Sequence, residues 1–439
     1  MNNKLGTRRF AARQTLFMLH CSLFVLFSLF VSSAHSMTEI RDTEIERFLQ
    51  ETVAPLARAA DIPTDRLRIR VIRDDRFNAF ITGGSDIFIH TGLLTRIDSP
   101  AELQAVLAHE IGHVALGHIV QLRAKMRAET TRMLVMQALG VGMAAMYNPQ
   151  AGAGMVAGAT GVAQQSVLAF TREEERAADD FAIRLLNEIE TDLTALLTVF
   201  QKMQSSAENR INPHNISHPL TEERIRHLRL HLPANPRPQT ASNELKMVQA
   251  KLIGYLDNAD RVRTLFPNSD TSNPALYARA IMRMRSGDLE GAKTGTLTLI
   301  SRNRNNPFFF ELLGDIEFRA GRYDDSVKAY EQALKLTNNA PQINLALAMV
   351  LAERRKPGDA ERATELAKRA ILTEPMPLAW WILARTDENK ADYYLAEYHF
   401  LRRNIRQAQS HARRAVRTLP RNSPEAIKAR DIIDFRERN

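Results

Sequence analysis

The segment His109-Glu110-Ile111-Gly112-His113 places a glutamate between two histidines that are four residues apart. On a helix, residues four apart lie on the same face, so both imidazoles can bind one zinc ion. Glu110 can take a proton from a water molecule that the metal polarises. The segment therefore predicts a zinc-dependent hydrolase. The motif alone leaves a second interpretation open, two histidines on the surface of an ordinary helix.

The residues around this motif predict one helix over residues 101–121. Ser99 can cap its start, Pro100 suits the first turn, and Glu102 completes a capping box. The helix is strongly apolar, as a buried active-site helix would be, with Leu103, Val106, Leu107, Ile111, Val114 and Ala115. This context favours the metal site over the surface interpretation.

A catalytic zinc site needs three protein ligands and one open position. The pattern HExxHxxGxxH would supply a third histidine, but the chain has Leu116 and Ile119 at the required positions. The second candidate lies in residues 172–179, where Glu175 and Asp179 are four apart. We predict Glu175 as the third ligand, and Asp179 as the acceptor of a hydrogen bond that fixes the tautomer of His109. The alternative is a solvated, charged helix start.

Three separated segments together resemble the M48 metallopeptidases: HEIGH at 109–113, FTREEERAAD at 170–179 and HPLTEER at 218–224. Those proteins are gluzincins with an ExxxD helix and a downstream HPxxxxR segment, and the resemblance covers residues from about 40 to 230. It implies one zinc ion per chain and a functional His218. Two roles for His218 stay open: a fourth zinc ligand that holds the enzyme latent, or a hydrogen-bond donor to the oxyanion.

The N-terminus predicts a secretory signal peptide over residues 1–36. Basic residues precede an apolar run from Leu16 to Val31, and small residues follow it. The alternative is an uncleaved membrane anchor, for which the run is short. The only cysteine, Cys21, lies in this run, so the mature chain would hold neither a disulfide nor a thiol nucleophile.

The formal net charge of +9 is not arranged as a stripe of basic and aromatic residues, so we expect no nucleic-acid partner. The arginines between 402 and 417 allow two interpretations, contact with acidic partners or anionic lipid, and a solvated helix face. The sequence alone favours the solvated face.

Residues 40–60 predict an amphipathic helix with a kink at Pro55, and Leu67–Val71 alternates as a strand does. A turn at 82–85 leads to a second strand, Asp86–Thr91. We predict that this second strand lies at the sheet edge and receives the substrate backbone by strand addition. Sheet packing alone is the equally favoured alternative.

Residues 133–171 carry no charge and form two apolar arms around the turn at Tyr147-Asn148-Pro149-Gln150. Three interpretations compete: core packing, a methionine-lined surface for unfolded substrate, and a hairpin in peripheral contact with a membrane. We favour a mobile cover or membrane-facing element near the active site, because the segment joins the two metal-binding helices. His118 and His214 are expected to be structural or to support the ligands.

A proline-rich linker over 231–244 separates residues 37–230 from a helical region, 245–439. The helical region follows the tetratricopeptide pattern, with units near Pro274, Asn306, Pro341 and Lys390 and an extra helix around Trp380-Trp381. Such stacks build concave binding surfaces. The alternative is a generic helical bundle.

The predicted fold class is therefore α+β and mainly helical, a gluzincin-type domain with a small sheet followed by an all-α tetratricopeptide solenoid. The resemblance to the M48 metallopeptidases, taken with these repeats, implies a periplasmic zinc endopeptidase with a possible chaperone-like activity. Its implied role is quality control and assembly of outer-membrane β-barrel proteins. Unfolded or misassembled outer-membrane proteins, and the assembly machinery through the repeats, are the implied partners. The alternative is an adaptor or chaperone with a latent or blocked protease site.

Overall fold

The computed structural model describes residues 38–82, 86–146, 171–205, 218, 220–236, 242–373 and 376–436. The chain divides into two compact units, residues 1–40 and 41–439. The described part of the first unit contains a two-residue strand, Glu39–Ile40. The predicted signal peptide, most of the 82–85 turn, the 147–150 turn and His214 lie outside the described residues.

Among the described residues, three strands form the sheet of the second unit: β1 (Arg68–Ile72), β2 (Ala79–Ile81) and β3 (Asp86–His90). β3 pairs in parallel with β1 and antiparallel with β2. The prediction that residues 86–91 form an edge strand is therefore wrong. Ile87 and Ile89 of β3 are fully buried, as expected of a central strand, and β2 lies at the end of the strand order.

Among the described residues, seven helices belong to the part of the chain around the HExxH motif. They are α1 (Thr43–Ala59), α2 (Thr91–Leu94), α3 (Pro100–Ala115), α4 (His118–Met146), α5 (171–188), α6 (Thr194–Ser205) and α7 (Glu222–Arg229). In α1, Asp42 caps the start, and Phe48, Leu49, Val53 and Leu56 are buried. Pro55 lies inside this helix.

The predicted single helix over 101–121 is in fact two helices. α3 ends at Ala115, and Gly117 has a φ of +68°, a left-handed conformation that favours glycine. The side chain of Gln121 donates to the carbonyl of Leu116 at 2.7 Å, which satisfies one orphan group at this break. α4 then starts at His118, and the turn returns His118 towards the motif.

The remaining chain is a series of helices in which neighbours along the sequence pack in pairs. They are α8 (Asn243–Leu256), α9 (Ala259–Leu265), α10 (Asn273–Arg285), α11 (Leu289–Arg302), α12 (Pro307–Arg319), α13 (Tyr323–Leu336), α14 (Pro341–Arg354), α15 (Asp359–Thr373), α16 (Pro377–Thr386), α17 (Ala391–Leu401), α18 (Ile405–Thr418) and α19 (Pro424–Asp434). The extra helix predicted around Trp380 is α16.

Gly314 shows why the repeat pattern places glycine opposite an aromatic residue. A Cβ at position 314 would lie 2.8 Å from the ring of Tyr330, so only glycine lets α12 and α13 approach this closely. The Ser326 hydroxyl donates to the Gly314 carbonyl at 2.8 Å and adds to this contact. Among the described residues, no helix is long and apolar enough to cross a membrane.

Helix α1 packs against the first helices of the repeats. The Tyr277 hydroxyl donates to Glu44 at 2.9 Å, and the Thr43 hydroxyl donates to Gln342 at 3.2 Å. The guanidinium of Arg47 lies over the ring of Phe308, 4.8 Å from its centroid. The motif-bearing part of the chain and the repeats therefore share a packed surface.

Candidate metal centre

Two helices bring the predicted ligands together. α3 carries His109 and His113 and starts at Ser99, whose side chain accepts from the Glu102 amide at 3.3 Å, as predicted. The Glu102 carboxylate is buried and pairs with Lys202 at 2.7 Å. α5 carries Glu175 on the face that meets α3.

The three predicted ligands converge on one point. His109 Nε2 lies 3.1 Å from His113 Nε2 and 3.4 Å from Glu175 Oε2, and His113 Nε2 lies 3.4 Å from Glu175 Oε1. In a tetrahedral zinc site with bonds of about 2.0–2.1 Å, neighbouring donor atoms are roughly 3.3 Å apart. The spacing and the chemistry of these donors therefore fit zinc. Histidine nitrogens with one carboxylate oxygen are also the usual donors of catalytic zinc sites.

Asp179 lies behind this donor set, one helical turn after Glu175. Its Oδ1 is 2.9 Å from His109 Nδ1, which places it to hold that imidazole with Nε2 directed at the other donors. Burial alone would raise the pKa of Asp179, but the charge of Arg224 and the hydrogen bond from His109 outweigh it and lower the pKa.

Arg224 is a site residue that the sequence analysis did not single out. Its Nε and Nη2 donate to both oxygens of Asp179, at 2.7 and 2.8 Å, and its Nη1 lies 2.7 Å from Glu175 Oε2. The guanidinium also lies over the Phe200 ring, 5.0 Å from its centroid. One buried arginine therefore holds the carboxylates of both Glu175 and Asp179. The available signal was its position as the last residue of the HPLTEER segment.

His118 was expected only to be structural or to support the ligands, and the structure places it beside one of them. His118 Nδ1 lies 2.9 Å from His113 Nδ1, and both rings are buried. Burial lowers the pKa of His118, and burial lowers that of His113 to about 4. Because both rings are neutral near pH 7, one Nδ1 donates and the other accepts. The break at Gly117 creates this contact.

Glu110 and His218 face each other at the open side of the donor set. His218 Nδ1 lies 2.8 Å from Glu175 Oε1 and 3.3 Å from His109 Nε2, and its Nε2 lies 3.2 Å from Glu110 Oε1. Burial would lower the pKa of His218, but the carboxylates of Glu110 and Glu175 outweigh it and raise the pKa well above its usual value.

The same interaction sets the state of Glu110. Burial would raise its pKa, but the charge of His218 outweighs burial and lowers it, so Glu110 is ionised. Its second oxygen, Oε2, is buried and has no hydrogen-bond partner among the described residues. That oxygen is available to accept a proton from a water molecule.

An apolar cleft opens beside His109, Glu110, His218 and Arg224. The side chains that line the rest of it come from the loop before β2, from β2 itself and from α2, α3 and α6. They are Phe77, Asn78, Ala79, Leu93, Val106, Leu196, Val199, Phe200 and Met203. The cleft presents an apolar surface next to the polar donor set, which suits a bound polypeptide side chain.

Two family models match the chain. The model of peptidase family M48 matches residues 43–231, and the model of a TPR repeat matches residues 314–353. The matched ranges contain the donor set and, among the repeats, the end of α12, all of α13, and α14 as far as residue 353. Residues 43–231 therefore match a domain of peptidase family M48, and the segment that matches the TPR repeat lies C-terminal to it.

The curated relatives of this chain include the beta-barrel assembly-enhancing protease of Escherichia coli (strain K12), 26% identical over 63% of this chain and 59% of that protein. The protein of the same name from Yersinia pestis is 26% identical over 72% of this chain and 66% of its own length. Metalloprotease LoiP of Escherichia coli (strain K12) is 30% identical over 35% of this chain and 57% of that protein. The chain thus spans less than two thirds of the length of each.

Proposed function

We propose that this chain is a zinc endopeptidase whose ion is held by His109, His113 and Glu175. The observation that carries the proposal is the convergence of these donors at the spacing of a tetrahedral site, next to the ionised Glu110. The M48 match supports it independently.

Zinc bound there would act as a Lewis acid and make a water molecule reactive near pH 7. Glu110 accepts the proton of that water and returns it to the leaving amine of the substrate. Asp179 keeps His109 oriented, and Arg224 keeps Asp179 and Glu175 in place. The apolar cleft beside Glu110 receives a side chain of the polypeptide substrate.

In this proposal, His218 holds the enzyme in a latent state. Its Nδ1 lies near the donor atoms of His109 and Glu175, and its Nε2 lies beside the oxygen of Glu110. The imidazole of His218 therefore competes with water for the open ligand position, and it also competes for the carboxylate of Glu110, which is the base. This arrangement favours the fourth-ligand role over donation to an oxyanion. Substitution His218→Ala should raise cleavage of an unfolded substrate; unchanged or lower cleavage would contradict latency.

We further propose that residues 1–36 form a cleaved signal peptide, that 37–230 form the peptidase domain, and that 245–439 form the repeat domain after a linker at 231–244. The chain would act in the periplasm, in the quality control and assembly of outer-membrane β-barrel proteins. The repeats would bind unfolded substrates or the assembly machinery. The names of the relatives support this role.

The second candidate function is a repeat-based adaptor or chaperone with a blocked protease site, which the position of His218 favours. Incubation of the purified mature chain with an unfolded outer-membrane β-barrel protein and with casein separates the two functions. His218→Ala should cleave, and His218→Ala/Glu110→Gln should be slower by about 10²–10⁴-fold, the usual contribution of a general base. The control is His218→Ala/Glu188→Gln, because Glu188 is exposed on α5. Equal cleavage by both double variants would exclude Glu110 as the base.

A further inference from the structure

Residues 402–421 contain seven arginines and neither aspartate nor glutamate. This segment includes helix α18 (Ile405–Thr418), the second helix of the last repeat pair. The sequence alone favours a solvated helix face for these arginines. The structure shows how three of them are arranged, and the arrangement differs from that of the other repeats.

Helix α18 is divided into a buried face and a charged face. Its fully buried side chains are Ala408, Ala412 and Ala415, which pack into the repeat stack. The opposite face carries Arg406, Arg413 and Arg417, which are all exposed. With 100° between residues and a rise of 1.5 Å, these three form a straight arginine row about 16 Å long.

The arginine row lacks the ion pairs that balance other exposed arginines of the repeats. Within the described ranges, neither Arg406 nor Arg413 nor Arg417 has a carboxylate within 4.0 Å. By contrast, Arg362 pairs with Glu331 at 2.8 Å, and Arg385 pairs with Glu353 at 2.8 Å.

Like charges at this spacing on a helix repel one another, so an opposing polyanion would relieve the repulsion. Two features of the row decide which class of polyanion fits it. No aromatic side chain stands between the arginines, so there is no stacking platform for nucleic-acid bases.

Two grooves of the repeats are lined by residues within 331–369 and 360–389, so the row does not line either of them. A bound peptide needs a groove or a strand edge, whereas a layer of phosphates needs only an exposed, positively charged surface.

We propose that the arginine row docks the repeats on the surface of an anionic phospholipid bilayer. Each guanidinium offers paired donors that match phosphate oxygens, and the row is long enough to contact several headgroups at once. The contact is peripheral and electrostatic, so it weakens as salt is added. It does not depend on the proposed peptidase activity, because it uses no residue of the donor set or of the cleft.

Co-sedimentation of the mature chain, residues 37–439, with vesicles tests the proposal, because the apolar run of residues 16–31 would itself bind to vesicles. Wild-type protein should bind vesicles of phosphatidylglycerol and phosphatidylcholine at low salt, and should not bind phosphatidylcholine alone. The triple variant Arg406→Gln/Arg413→Gln/Arg417→Gln should bind about 100-fold more weakly. The control is Arg261→Gln/Arg263→Gln/Arg302→Gln, which removes the same charge from exposed positions in other repeats and should bind within about 3-fold of wild type.

Three outcomes would overturn the proposal. The first is equal binding by the two triple variants, and the second is no wild-type binding to anionic vesicles at low ionic strength. The third is stronger, row-dependent binding of polyglutamate than of vesicles at equal charge concentration, which would assign the row to an acidic polypeptide. Thermal unfolding of both variants shows whether the repeats stay folded, and the zinc content of both reports on the metal centre separately.

Discussion

Two buried clusters of charge in this protein use carboxylates in opposite ways. In the metal centre, His109, His113 and Glu175 direct their donor atoms at a common point. In the Lys251 cluster, formed by Asp42, Glu44, Lys251, Tyr277 and Glu311, the carboxylates surround an ammonium group. Lys251 Nζ lies 2.6 Å from Asp42, 3.1 Å from Glu311 and 3.4 Å from Glu44.

The difference lies in where the cation comes from. Lys251 is covalently part of α8, so its cluster is complete without a ligand and joins α1 to the repeats. The metal centre has donors at tetrahedral spacing and no lysine among them, an arrangement that suits an ion from solution. The pKa values of the carboxyl groups also differ between the two clusters. Burial raises the pKa of Glu311 to about 8. In the metal centre, nearby histidines outweigh burial and keep the pKa of Glu175 well below its usual range.

The largest expected effect is on the stability of the protein and comes from removing the ammonium group of Lys251. Lys251→Met leaves three carboxylates buried without their partner, so we expect a loss of about 3–5 kcal/mol in the free energy of unfolding. Urea unfolding measures it. Lys246→Met is the control, because Lys246 is exposed on the same helix and should change stability by less than about 0.5 kcal/mol. Equal stability of both variants would show that the Lys251 cluster is not structural.

The second largest expected effect is on the zinc affinity of the metal centre. Arg224→Lys keeps the charge but removes the forked donation to Asp179 and the contact with Glu175, so zinc affinity should fall by about 10–100-fold. Competition with a chelator measures the affinity. Arg226→Lys, at an exposed position of the same helix, should leave it unchanged. If Arg224→Lys binds zinc as tightly as wild type, the arginine does not support the ligands.

The smallest effect is a pH dependence in the Lys251 cluster. Because the pKa of Glu311 is about 8 when folded and near 4.5 when unfolded, the folded state holds a proton that the unfolded state releases. The stability due to this group is therefore present below about pH 4.5 and is lost as the pH rises towards 8. In Glu311→Gln, the decrease in the free energy of unfolding between pH 5 and 8 should be smaller than in wild type by about 1–2 kcal/mol. An unchanged slope of stability against pH would contradict the raised pKa.

The metal centre was more predictable than the Lys251 cluster for a physical reason. His109 and His113, like Glu175 and Asp179, are four residues apart on helices, so local periodicity alone places each pair on one face. Arg224 reaches the site through tertiary packing, and His118 reaches it because the helix breaks at Gly117. The Lys251 cluster joins residues more than 200 positions apart, and no local pattern connects them.

The sheet illustrates the same limit. Alternating residues indicate that 67–71 and 86–91 are strands, but alternation carries no information on which strand is the neighbour of which. Strand β2 is only three residues long, too short for a periodic signal, so the sequence analysis did not include it and placed β3 at the edge.

Zinc content of the purified protein tests the central claim most directly. Inductively coupled plasma mass spectrometry should find one zinc per chain in wild type and in Glu173→Gln, whose exposed side chain lies two residues before the ligand. Glu175→Gln should lose most of it while remaining folded. Full zinc content in Glu175→Gln, or none in wild type, would contradict the assignment of His109, His113 and Glu175 as the ligands.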